Sequence, residues 1–234
     1  MKKTVVNQLS GLLFAALAST ANAGGISILQ DTVELNLDMS IDIPAEYNEG
    51  YGIEDWTFSD SYEGAGIGGV RLYGEKYYGK LPGQDESTWM TGFAEISDYS
   101  SDEYTSWNLR MRFDPNNEPN PGNIFGEGST LWRLVFDVTG EEVRLNVGSW
   151  ADFFGGSVFV SLSDLGSGAS YAFTLDDYES IELLGGHRYS LQIYSHLVYE
   201  SDTGDGALQV DLQFNAGSEV YSAVPSAPAT LSFP

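Results

Sequence analysis

Thr32-Val33-Glu34-Leu35-Asn36-Leu37-Asp38-Met39-Ser40-Ile41-Asp42-Ile43 alternates without a break. Val33, Leu35, Leu37, Met39, Ile41 and Ile43 fall on one face. Glu34, Asn36, Asp38, Ser40 and Asp42 fall on the other. A strict period of two marks a half-buried antiparallel strand. Pro44 closes it, because proline has no N–H to donate to a neighbouring strand.

The pattern recurs along the chain. Strands are expected at 70–78 and 89–96, with a Pro82-Gly83 turn between them. At 107–113, Trp107, Leu109, Met111 and Phe113 oppose Asn108, Arg110 and Arg112. Shorter strands are expected at 131–138, 143–147, 158–162, 171–175 and 181–184. At 187–199, His187, Tyr189, Leu191, Ile193, Leu197 and Tyr199 share a face. At 208–214, Leu208, Val210, Leu212 and Phe214 do the same. Residues 202–206 read as a hairpin loop joining these last two. The polar, Gly-rich stretch 47–69 reads as a long loop with room for one short strand, and 114–123 as a Pro-rich loop. Many short antiparallel strands at this spacing, with no apolar spacing of three and four, predict an all-β fold: an antiparallel β-sandwich of jelly-roll kind.

Three segments are expected: a signal peptide at 1–23, a single β-sandwich domain at 24–216 and a flexible tail at 217–234. Lys2 and Lys3, the apolar run 9–17 and Ala21-Asn22-Ala23 follow the order of a secretory signal peptide. That run is too short to span a bilayer, and no second apolar run follows.

The chain has no cysteine, which excludes disulfides, a Cys nucleophile and thiolate metal sites. Its formal charge is −24, a field that disfavours nucleic acid and anionic membranes and favours cations. Two histidines nine residues apart make a poor zinc set. There is no Gly-x-Ser-x-Gly elbow and no phosphate loop.

Three chemistries remain open. Asp114, Asn116, Asn117, Glu118, Asn120 and Asn123 crowd one loop with oxygen donors, and Asp202 with Asp205 form a smaller group. Calcium is the candidate cofactor for both, since Ca²⁺ takes six to eight oxygens. The plain alternative is that Asp and Asn start turns. Trp56, Tyr51 and Tyr62 lie in loop-like sequence, where exposed rings would stack on a glycan; the alternative is that they anchor loops. Arg188, Ser190, Gln192, Tyr194 and His196 share the polar face of one strand, and Arg110 and Arg112 a similar face of another. One sheet offering Arg, Gln, Tyr and His would suit proton abstraction beside a carboxylate, the chemistry of a polysaccharide lyase. The plain reading leaves His196 facing solvent and pairs both arginines with acidic neighbours.

The tail supplies a resemblance. Val224-Pro225-Ser226-Ala227-Pro228-Ala229-Thr230-Leu231 is similar to the motif that opens the sorting tag of PEP-CTERM proteins, typically Val-Pro-Glu-Pro-Ala-Thr-Leu, and to its Ser-Ala-Pro-Ala-Thr-Leu variants. In that family a membrane helix and an Arg-rich cluster follow the motif, and an exosortase processes the protein. Here Ser226-Ala227 replaces the Glu-containing part, and the sequence ends at Pro234. The resemblance implies a Gram-negative source and delivery to the cell surface or outside the cell. The expected role is a secreted, non-enzymatic component of the extracellular matrix or cell surface. The alternative is a carbohydrate-binding module with extracellular polysaccharide as its partner. A polysaccharide lyase or glycoside hydrolase ranks below both.

Overall fold

The computed structural model describes residues 25–45, 49, 52–80, 87–100, 104–116, 123–152, 155–173, 178–200 and 206–216. The expected signal peptide and the tag-like tail lie outside them.

Twelve strands carry the described fold: β1 (Ile26–Asp42), β2 (Trp56–Gly64), β3 (Val70–Lys80), β4 (Ser87–Ser100), β5 (Tyr104–Asn116), β6 (Asn123–Val138), β7 (Glu142–Asp152), β8 (Gly155–Asp164), β9 (Ser170–Phe173), β10 (Tyr178–Leu184), β11 (Arg188–Glu200) and β12 (Gly206–Ala216). They form two six-stranded sheets, ordered β2-β1-β6-β11-β8-β9 and β10-β7-β12-β5-β4-β3. Every pairing is antiparallel. The inner faces enclose one continuous apolar core. This is the expected antiparallel β-sandwich of jelly-roll kind, with the chain passing from sheet to sheet at β2–β3, β5–β6–β7–β8 and β9–β10–β11–β12.

The alternating residues read from the sequence build the core. Val33, Leu35, Leu37, Met39 and Ile41 of β1 are buried, as are Trp107, Leu109, Met111 and Phe113 of β5. At the centre, the Trp107 ring meets Trp132 edge-on at 6.0 Å and Phe214 at 5.1 Å, and Phe136 meets Phe214 at 5.1 Å. Such edge-to-face contacts add about 0.5–1.5 kcal/mol each beyond burial.

Three expectations need correction. The one strand expected within 47–69, β2, is longer than a short strand, with nine residues, and its Phe58 and Trp56 stand opposite Met39 and Ile41. The Gly-rich segment before Leu131 is strand as well: β6 runs unbroken from Asn123, with Gly126 and Gly128 facing the core where Phe113 and Met111 crowd in. Finally, β11 and β12 do not form a hairpin. β11 pairs with β6 and β8 in the first sheet, β12 with β5 and β7 in the second. Two alternating strands with a short connection look alike whether they pair or face each other across a core.

Candidate functional site

The residues singled out in the sequence scatter. Trp56 and Tyr62 are not loop platforms: both lie in β2 and pack against the core, Trp56 stacked on Phe58 at 6.1 Å and the Tyr62 hydroxyl donating to the Ala65 carbonyl at 2.9 Å. Tyr51, Glu118, Asp202 and Asp205 lie outside the described residues. Asp114 and Asn116 belong to β5 rather than to a loop, and the Asp114 carboxylate lies 3.4 Å from Arg112. Among the described residues no cluster of three or more His, Asp or Glu side chains could hold a metal ion.

The expected Arg–Gln–Tyr–His constellation does not assemble. Gln192, Tyr194 and His196 stand on the outer face of the first sheet, whereas Arg110 and Arg112 stand on the outer face of the second. The whole core lies between them. His196 is spent on a hydrogen bond from Nε2 to Glu127 at 2.8 Å. Period-two reading shows which residues share a strand face, but not which strands share a sheet.

The outer face of the second sheet instead gathers rings that the sequence reading passed over. Where Leu72 and Ala94 point inward, Arg71, Tyr73, Glu75 and Tyr77 of β3 and Trp89, Phe93, Glu95 and Tyr99 of β4 point outward. Tyr104 of β5, Trp150 of β7 and Tyr178 of β10 extend the same face. Tyr73, Tyr77, Tyr99, Trp150 and Tyr178 are all exposed. The outer face of the first sheet offers fewer rings, with Phe159 and Tyr194 exposed on adjacent strands. The parity of strands already read at 70–78 and 89–96 is the signal that marks Tyr73 and Phe93 as outward.

Polar groups fill the space between the rings. Trp150, Gln209, Arg110, Glu95 and Arg71 stand directly opposite one another on β7, β12, β5, β4 and β3. That row crosses four strand spacings, about 19 Å. At one end the Arg71 guanidinium lies 4.9 Å from the Phe93 ring centre and 5.3 Å from that of Tyr73, with Nε 3.6 Å from Glu95. This cation–π and ionic contact fixes both rings. In the middle, Arg110 departs from expectation: among the described residues it has no ion pair or hydrogen bond. Beside it the Gln209 amide donates to both Asp211 carboxylate oxygens at 2.8 Å. Burial raises the Asp211 pKa above the ordinary carboxylate value, with Gln209 and Arg110 opposing it.

A second polar cluster lies at one end of the sandwich, around a hollow lined by Asp137, Leu165, Gly166, His187 and Arg188. Its groups satisfy each other. The nearly inaccessible Asp164 accepts from the Ser167 hydroxyl at 2.7 Å, from His187 Nδ1 at 2.8 Å and from the Gly166 and Ser167 amides. Arg188 clasps Asp137 at 2.7 and 3.1 Å. The serine bonds the aspartate rather than the histidine, so this is a turn clamp and not a nucleophile with its base. The Ser167 hydroxyl, then His187 and the two amides, hold the Asp164 pKa well below the usual range against the opposing effect of burial. A carboxylate depressed in the folded state stabilises above its ordinary pKa, near 4, and that contribution fades as pH falls below it. Asp164→Asn is therefore expected to lower the melting midpoint by several degrees at pH 7, with the gap from the unaltered protein narrowing at about pH 3. A gap independent of pH would contradict the clamp.

No family model matches the chain, and no curated protein matches it. Among solved structures it is similar to TmCBM61, solved in complex with β-1,4-galactotriose: 12% identity, 65% of this chain, 90% of that one, TM-score 0.24. It is also similar to the CENP-C cumin domain of Drosophila melanogaster: 17% identity, 50% and 72% coverage, TM-score 0.19. A third is the CBM22-1–GH10 portion of Clostridium thermocellum endo-1,4-β-D-xylanase 10B complexed with xylohexaose: 13% identity, 67% of this chain, 28% of that one, TM-score 0.19. Likenesses this distant carry no argument about function.

Proposed function

We propose that this chain is a carbohydrate-binding protein that holds a polysaccharide across the outer face of its second sheet. One observation carries the proposal: Tyr73, Phe93, Trp150 and Tyr178 flank the row Gln209, Arg110 and Glu95 on a single sheet face. Sugar rings present C–H faces that stack on aromatics and hydroxyls that bond amides, guanidinium and carboxylates, and this face supplies both. Strands, unlike loops, hold such groups in fixed register.

The matrix role expected from the sequence finds no support in this fold. Secretion and surface delivery, suggested by the export signal and the tag-like tail, remain part of the proposal as the setting in which such a protein meets extracellular polysaccharide. No helix among the described residues is long and apolar enough to cross a membrane.

The test is a glycan array with residues 24–234, repeated for Trp150→Ala and Phe93→Ala. The expected result is selective binding to one glycan class, weakened about tenfold or more by either substitution. Binding unaffected by both would move the site elsewhere. No selective binding would remove the reading.

A further inference from the structure

We propose that the second sheet carries a subsite for one uncharged pyranose ring at Gly148, between Tyr178 and Asp211. The inference rests on the carbohydrate-binding reading and assigns the class of sugar at one position.

Gly148 is the starting point because the fold does not demand it. It is not among the positive-φ glycines. A Cβ added there would meet only the Tyr178 ring at 3.5 Å and the Asp211 Cβ at 3.9 Å, both ordinary contacts. The missing side chain opens the face at a position where the backbone would accept one. Around the opening stand groups suited to a sugar. Tyr178 lies directly opposite on β10, Asp211 directly opposite on β12, and Trp150 two residues along β7 on the same face. Gln209, diagonal to Gly148, holds the Asp211 carboxylate.

Asn146, two residues back along β7, supplies an independent pointer. Its position on the outer face lies between Ser180 and Gln213, it is only 5% exposed, and its side chain makes no hydrogen bond with a described residue. An amide held in a recess of the face, with both its donor and its acceptor uncommitted among the described residues, can bond the hydroxyls of a ligand seated beside it.

Charge selects the class. Asp211 offers lone pairs to sugar hydroxyls, while a uronate or sulfate at this position would meet a carboxylate already partly desolvated. Arg110, which makes no ion pair or hydrogen bond among the described residues, stands opposite Gln209 rather than opposite Gly148, and its charge already acts on Asp211. The subsite therefore takes a neutral hexose or pentose ring, stacked on Tyr178 or Trp150 and bonded to Asp211 and Asn146.

The experiment is calorimetric titration of neutral and uronate-containing oligosaccharides into the unaltered protein, Gly148→Val, Asn146→Ala and Phe93→Ala, with melting midpoints recorded for each. Valine suits an exposed strand position and fills the opening. The expected result is a neutral ligand bound about tenfold or more weakly by Gly148→Val, and several-fold more weakly by Asn146→Ala, at unchanged midpoints. Full binding by both variants, with loss in Phe93→Ala, would overturn the subsite and leave the wider face standing. A preference for uronate ligands would overturn the assigned class. No binding by the unaltered protein would overturn the carbohydrate-binding reading and the subsite together. A lowered midpoint in Gly148→Val would mean that the residue serves folding, and would also overturn the subsite.

Discussion

Replacing Asp31 by alanine is expected to destabilise the sandwich by about 2–4 kcal/mol. Asp31 sits just past the bulge that interrupts β1 between Ile28 and Gln30. One carboxylate oxygen accepts from the Trp132 indole N–H at 2.8 Å, the other from the Ile67 amide at 2.7 Å. Trp132 is 1% exposed, so its indole N–H has little access to water once the carboxylate is gone. The same carboxylate thus seats a core tryptophan and ties down the turn leading into β3. Orphaning two donors costs far more than the net value of the bonds themselves. A shift in melting midpoint on the order of 10 °C should follow for a domain of this size. Trp132→Phe, which removes the indole donor, should shrink the further cost of Asp31→Ala. Strict additivity of the two substitutions would show that the indole contact is not the source.

The second large effect is expected at Gly92. Gly92 of β4 and Gly126 of β6 face each other's sheets across the core, and the fully buried Phe113 fills the space between them. A methyl group at Gly92 would collide with the Met39 sulfur and stand 2.8 Å from the Phe113 ring. One at Gly126 would stand 2.6 Å from the same ring. Neither glycine has positive φ, so the objection is steric, not conformational. Gly92→Ala should cost about 1–3 kcal/mol through overpacking, net of the small gain from a stiffer unfolded chain. Phe113→Leu, destabilising alone, should be less harmful in the Gly92→Ala background. Denaturant midpoints of the four proteins in the cycle measure this coupling, and a coupling of zero would contradict the packing account.

These two sites also show where the sequence was legible. The run from Val33 to Ile41 and that from Trp107 to Phe113 were readable because each keeps one parity over its length. Parity fails at the β1 bulge: Ile26 and Ile28 are buried before it and Val33 and Leu35 after it, while Leu29 is exposed. The first residues of β1 and the role of Asp31 were hidden for that reason. Nothing in the sequence marked Gly126 and Gly128 as strand residues, because a strand glycine that admits a partner's ring leaves no pattern on its own strand. Its explanation lies in Phe113 and Met111.

The candidate face was half legible. Outward parity on β3 and β4 marks Tyr73 and Phe93, but nothing in the sequence sets β7 and β10 in the same sheet as β3. Trp56 and Tyr62, aromatics in apparently loop-like sequence, are strand residues packed on the core. Arg110 was legible as a polar-face residue. That it makes no ion pair among the described residues was not, because Glu95, directly opposite, is drawn to Arg71.

The second sheet, rather than the first, is the face proposed to hold the glycan. The most direct test compares affinity for the preferred glycan in two double variants, Tyr73→Ala with Trp150→Ala and Tyr194→Ala with Phe159→Ala. All four substitutions remove exposed rings, so both proteins should fold. Binding is expected to fall by roughly a hundredfold or more in the first variant and to stay within about twofold in the second. The reverse result would place the ligand on the first sheet and contradict the account.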